Sequence, residues 1–110
     1  MTAQTTQPAS LPWLEKLVAI PTVSGSSNLE LIELLEAEFG RYGYSGVRTY
    51  NEDGTRANLF ITVPAADGTT RGGLVLSGHT DVVPVAGQDW ASDPFTLRVE
   101  GTRAYGRGVC

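Results

Sequence analysis

His79 is the only histidine in the 110-residue chain, and Asp81 follows it by two positions in residues 76–84, LSGHTDVVP. An imidazole and a carboxylate held side by side suit a metal site. One ring nitrogen goes to the cation, and a carboxylate on the other fixes the ring and raises its basicity. An extended backbone puts residues 79 and 81 on the same side. Gly78, just before them, permits close backbone approach or an unusual dihedral. The same pattern has a plainer reading, a surface histidine hydrogen-bonded for structural reasons, because paired groups mark sites only in a minority of cases. One histidine and one carboxylate also fall short of the three protein ligands a catalytic zinc takes. The lone Cys110 excludes an intramolecular disulfide and a cysteine-cluster metal site.

Residues 73–77, GLVLS, must carry this pair. They are short, apolar and bounded by glycines, which predicts a central strand covered on both faces. Open α/β sheets place ligands at the ends of such strands. Upstream, Ser10 is a candidate N-cap for a helix over about 11–20 with Leu14, Leu17 and Val18 on one face. Pro21 stops it, and PTVSGSS reads as a loop. Ser27 and Glu30 have capping-box spacing. A second helix follows, with Leu29, Ile32, Leu35, Glu36 and Phe39 along one stripe, broken only by Glu36. Gly40 or Gly43 ends it in the left-handed conformation.

From Tyr44 the period changes to alternation. Val47 and Thr49 predict a short strand, 51–54 a turn, and 57–63 (ANLFITV) a half-buried strand. Residues 64–73 and 84–94 read as loops. Phe95, Leu97 and Val99 alternate again, Gly101 and Thr102 can turn the chain, and 103–105 can pair back as a hairpin. Two helices followed by several strands predict part of an α/β sheet, incomplete as it stands.

The length suits one domain or a piece of one. With 41% hydrophobic and 18% charged residues, a disordered polyelectrolyte is excluded. A net charge of −4 argues against nucleic acid, whose phosphates need a basic stripe. No apolar run is long enough for a membrane helix. The opening MTAQTTQPAS has neither a basic residue nor an apolar h-region, so it does not read as a secretory signal. Its polarity predicts a disordered tail over 1–10, and a cytoplasmic location is expected.

The stretch from SGHTDVVPV through DWASDPFTL to YGRG resembles the M20 peptidase family of metal-dependent amidohydrolases. LVAIPTVSG and RANLFITV support the likeness, which covers nearly all of 11–110. Within the family the acetylornithine deacetylase branch is the most similar, although succinyl-diaminopimelate desuccinylases carry very similar GHTD and YGRG segments. The resemblance implies a three-layer αβα zinc-peptidase-like catalytic domain with a smaller lid or dimerisation domain inserted. It implies two divalent ions, usually zinc and sometimes cobalt, at the strand ends. By this resemblance His79 is a metal ligand and Asp81 the catalytic acidic partner that orients it. The implied partner is a small N-acyl amino acid, with no nucleic acid and no membrane, and the full-length family is expected to be homodimeric. The implied reaction deacylates N-acetyl-L-ornithine to ornithine and acetate in arginine biosynthesis. Desuccinylation, another aminoacylase activity, or a non-catalytic remnant stand as alternatives.

The family's bridging aspartate follows Y-G-R-G-x-x, and the sequence reaches only Gly108, Val109 and Cys110. Residues 11–110 are therefore expected to be the N-terminal part of the catalytic domain. The bridging aspartate, catalytic glutamate, late histidine and lid would then be missing, leaving at most a partial zinc site and an inactive 110-residue chain. Cys110 stands where some relatives have a small residue. Trp90 and Phe95 are expected to pack their loop. Asp93 is expected to shape that loop or lie near a substrate entrance. Arg107 is expected to be an exposed charge or to meet a carboxylate, while Gly106 and Gly108 serve backbone geometry.

Overall fold

The computed structural model describes residues 6–110. Part of the expected disordered tail, residues 1–5, lies outside the described residues. Residues 6–8 carry no regular structure. The elements in order are α1 (Leu11–Ala19), α2 (Leu29–Arg41), β1 (Gly46–Tyr50), β2 (Ala57–Ile61), β3 (Arg98–Glu100) and β4 (Arg103–Tyr105). Among the described residues the arrangement is mixed α/β with two small open sheets. The chain divides into two compact units. One is Thr22–Asp81, and the other joins the described residues through Pro21 to Val82–Cys110.

In the Thr22–Asp81 unit, α2 packs against the antiparallel pair β1–β2. The capping box does not form. Asn28, not Ser27, is the N-cap residue, and it makes no side-chain cap. Its carboxamide is engaged elsewhere: Nδ2–H donates to Ala57 O, and Oδ1 accepts Ala57 N–H, both at 2.9 Å. The Ser27 hydroxyl accepts instead from Leu29 N–H at 3.3 Å. A helix start has been given over to tying α2 to the first residue of β2, whose own side chain is buried.

The far end of α2 follows the expected glycine stop, at Gly43 and not at Gly40, which lies within the helix. Gly43 has φ 83°. Its N–H reaches Gly40 O at 3.0 Å, and Tyr44 N–H reaches Phe39 O at 3.1 Å. These are the two bonds of a Schellman motif, which satisfies the last helical carbonyls and needs a residue free of Cβ strain at that φ.

Ile32 is buried as the stripe predicts, whereas Leu35 and Phe39 are half-buried. Leu31, outside that stripe, is also buried. Glu36, the polar break in the stripe, meets Arg48 of β1 in a two-bond pair, Nε to Oε1 at 2.7 Å and Nη2 to Oε2 at 2.5 Å. Such a fork matches guanidinium to carboxylate geometry. It holds the Glu36 carboxyl below the usual carboxylate range, the Arg48 hydrogen bond being the main cause.

The register of β1 and β2 sets Arg48 opposite Leu59 and Val47 opposite Phe60. Alternation puts Ala57, Leu59 and Ile61 on the more covered face and leaves Val47 and Phe60 exposed. The half-buried character read over 57–63 is present, although the strand closes at Ile61. The turn joining the two strands is closed by Asn51 N–H to Arg56 O and by Gly54 N–H to Asn51 O.

The expected central strand over 73–77 is absent. Leu74, Val75 and Leu76 are 84%, 76% and 87% exposed. A strand covered on both faces needs neighbours that accept its ladder and layers that cover its side chains. Among the described residues β1 pairs with β2 and β3 with β4, so no strand is left to flank GLVLS. Its apolar composition was read correctly, but its environment was not.

In the other unit, Leu14 and Leu17 of α1 are half-buried and Val18 is buried, the face read from the sequence. Ser10 occupies the N-cap position without capping, because its own backbone is already helical. Pro12 fits the first turn, where its missing N–H costs nothing. Pro21 forces Ile20 into an extended conformation and so ends the helix.

The hairpin β3–β4 forms, but its first strand begins at Arg98 and not at Phe95. The reason is Asp93. Its Oδ1 accepts Phe95 N–H at 2.9 Å, and its Oδ2 accepts the Thr96 hydroxyl at 3.2 Å. That turn curls the residues the alternation assigned to a strand.

Candidate functional site

The residues that carry the candidate chemistry all belong to the Thr22–Asp81 unit. His79 Nδ1 lies 2.8 Å from Asp81 Oδ1 and 3.1 Å from the Asp81 carbonyl oxygen. The spacing of two therefore does what extended geometry predicts, and it joins the two side chains directly. Gly78 contributes less than expected. It is not among the positive-φ glycines, and a Cβ there would meet nothing within 4 Å.

The carboxylate has a second donor. The Ser24 hydroxyl donates to Asp81 Oδ2 at 2.7 Å. Each oxygen of Asp81 thus faces one donor, serine on one side and imidazole on the other. These hydrogen bonds hold the carboxyl below the usual carboxylate range, Ser24 having the larger effect and His79 the next. An ionised Asp81 is an acceptor only, so the ring atom facing it is Nδ1–H. The neutral ring with its proton there has its lone pair on Nε2, on a side chain that is 84% exposed.

Two residues earlier in the same loop, the Thr22 hydroxyl donates to the Thr80 carbonyl at 2.5 Å. Thr22 is only 3% exposed and is the one buried polar residue among those described. Residues 22–28, the β1–β2 turn region and residues 77–81 line an open cleft of about 790 Å³. His79 and Asp81 lie along it with Ser24, Asn28, Asn51 and Arg56.

This donor set fits part of a metal site. An imidazole locked by a carboxylate on one nitrogen presents the other for ligation, the arrangement outer-shell carboxylates impose on ligating histidines. Among the described residues no group of three or more His, Cys, Asp or Glu side chains is placed to hold an ion. Ser24 and Thr22 went unread as site residues. The only signal was the pair of hydroxyls two apart in PTVSG, the same period as His79 and Asp81, and nothing local ties one segment to the other.

The remaining singled-out residues lie in the other unit and build structure there. Trp90 and Phe95 are half-buried. Arg107 is not simply an exposed charge: it is half-buried, with its guanidinium 4.9 Å from the centre of the Trp90 ring. Gln88 Oε1 accepts from both Trp90 Nε1–H and Arg107 Nη2–H. Gly108 has φ 84°, and a Cβ there would come within 2.7 Å of Val82 Cγ1, so both conformation and space require glycine. Cys110 is exposed.

The family model for Peptidase family M20/M25/M40 matches residues 75–110. The acetylornithine deacetylase of Salmonella arizonae is 40% identical over 99 residues, covering 84% of this chain and 25% of the relative. Those of Salmonella paratyphi B and Salmonella newport match to the same extent. The chain thus spans about a quarter of the length of the curated relatives it matches.

Proposed function

We propose, on the family match over residues 75–110 and the 40% identity to these deacetylases, that the chain is a member of the M20/M25/M40 peptidase family and supplies the His79–Asp81 portion of a metal-dependent amidohydrolase site. The observation that carries this reading is the pairing of His79 Nδ1 with Asp81 Oδ1 at 2.8 Å on a side chain that is 84% exposed. In this role His79 holds a divalent ion through Nε2, and Asp81 fixes the tautomer and the plane of the ring. A bound zinc or cobalt ion lowers the pKa of a water and polarises an amide carbonyl. Two such ions and further ligands are the arrangement this reading calls for in a complete site, of which this chain holds a part.

The substrate we favour is an N-acylated amino acid, N-acetyl-L-ornithine first, giving ornithine and acetate. The names of the matched relatives support it. Desuccinylation of N-succinyl-diaminopimelate is the second reading, favoured by the likeness of the GHTD and YGRG segments. A cytoplasmic location and a dimeric complete enzyme belong to the same proposal. No helix of the described residues is long and apolar enough to cross a membrane.

A chimera tests this. Residues 11–110 replace the matching quarter of the Salmonella arizonae enzyme, and zinc-loaded protein is assayed on N-acetylornithine and on N-succinyl-diaminopimelate. The expected result is hydrolysis of the acetyl substrate, abolished by His79→Ala. A folded, zinc-bound chimera that cleaves only the succinyl substrate would reverse the specificity. One whose activity is unaffected by His79→Ala would contradict the metal-ligand role.

A further inference from the structure

We propose that Ser24 is a positioning residue for the candidate site, holding the Asp81 carboxylate in the orientation that fixes the His79 ring, with Thr22 anchoring the loop that presents it. The inference rests on the reading of His79 as a ligand, since ring orientation matters through the ion the ring is to hold.

Asp81 is 59% exposed on its side chain, and water competes for both of its oxygens. A carboxylate with a single partner at such a position can rotate about its side-chain bonds. Two donors on opposite oxygens remove that freedom. His79 Nδ1–H takes Oδ1 and Ser24 O–H takes Oδ2, at 2.8 and 2.7 Å. Ser24 lies 57 positions away in sequence, so its bond to Asp81 forms only when the loop is folded against the HTD segment. The exposed Ser24–Asp81 bond alone would be worth little. What makes it effective is Thr22, whose buried hydroxyl grips the carbonyl of Thr80, the residue before Asp81. The loop therefore reads two consecutive residues of the HTD segment with two hydroxyls of its own. A further bond, Ser26 N–H to Val23 O at 2.8 Å, closes the turn that follows.

The chain's single histidine gives this a clean readout. With the 110-residue protein labelled with 15N in the imidazole ring, the shifts of Nδ1 and Nε2 report which nitrogen carries the proton. The unsubstituted chain is expected to hold the Nδ1–H tautomer. Ser24→Ala should shift the population toward Nε2–H, and Ser24→Thr, which keeps the hydroxyl, should restore it. Ser26→Ala, in the same loop but outside the hydrogen-bonded chain, should change nothing. Affinity for Zn²⁺ alone, followed on the same resonances, should fall about tenfold in Ser24→Ala, the lower end of what outer-shell partners contribute. Retention of the Nδ1–H tautomer in Ser24→Ala would overturn the role, as would failure of Ser24→Thr to rescue it. An unsubstituted chain that already favours Nε2–H would overturn it too. If the tautomer responds as expected but Zn²⁺ leaves Nε2 unmoved, the positioning stands and the metal reading falls.

Discussion

Asp81 accepts from two donors, and that double contact decides what the site can do. A carboxylate held below its usual range by Ser24 and His79 is an acceptor for both of them. Replacing it with asparagine keeps the size but removes the charge. Asp81→Asn is expected to weaken Zn²⁺ binding by about 10- to 100-fold, the range for carboxylates behind ligating histidines, as measured by titration calorimetry. An unchanged affinity would mean that the ring needs no orienting partner. The histidine–aspartate pair was legible because both residues lie within three positions and period two is a property of extended backbone. Ser24 and Thr22 were not. Their partners stand 57 and 58 positions downstream, and no local rule links a hydroxyl to a carboxylate across that distance.

Among the elements, single side chains hold α2 to its hairpin. Asn28→Ala removes both bonds to Ala57 and leaves that buried residue's N–H without its partner. The expected cost is about 1–3 kcal/mol, read as a lowered denaturant midpoint with an unchanged m-value. Ile32→Ala, at a core position only 3% exposed, is expected to cost about 2–4 kcal/mol. The Glu36–Arg48 pair gives a pH signature. The folded-state pKa of Glu36 is lowered by Arg48. Its stabilising effect is therefore complete above the unfolded carboxylate value and is lost as the pH falls through the lower folded value. Acid titration followed by circular dichroism should show this loss, and Glu36→Gln should remove that part of the acid dependence. Both helices were legible from their stripes, and the Schellman stop was visible in Gly43. The capping box failed because Asn28, the residue after Ser27, takes the N-cap position while its side chain serves β2. The strand read from Phe95 failed because the Asp93 turn outcompetes alternation locally.

Across the whole chain, the largest departure from the sequence reading is GLVLS, exposed where a covered strand was expected. Composition reports how apolar a segment is, but not whether neighbours exist to flank it. Among the described residues the sheets are two-stranded, and the Leu74–Val75–Leu76 run is exposed. A contiguous exposed apolar run of this kind favours association with other chains. Concentration-dependent association is therefore expected in sedimentation, and Leu74→Lys with Leu76→Lys should reduce it. The likeness to the M20/M25/M40 peptidase family was legible from the GHTD, DWASDPF and YGRG segments, and the family match over residues 75–110 and the matches to the deacetylases agree with it. What remains to be measured is whether the one histidine takes a metal. Adding Zn²⁺ to the ring-labelled chain and following both imidazole nitrogens asks this directly. A shift at Nε2 with the proton kept on Nδ1 is the predicted result. A ring that ignores zinc, or takes it through Nδ1 with the Asp81 contact broken, would contradict it.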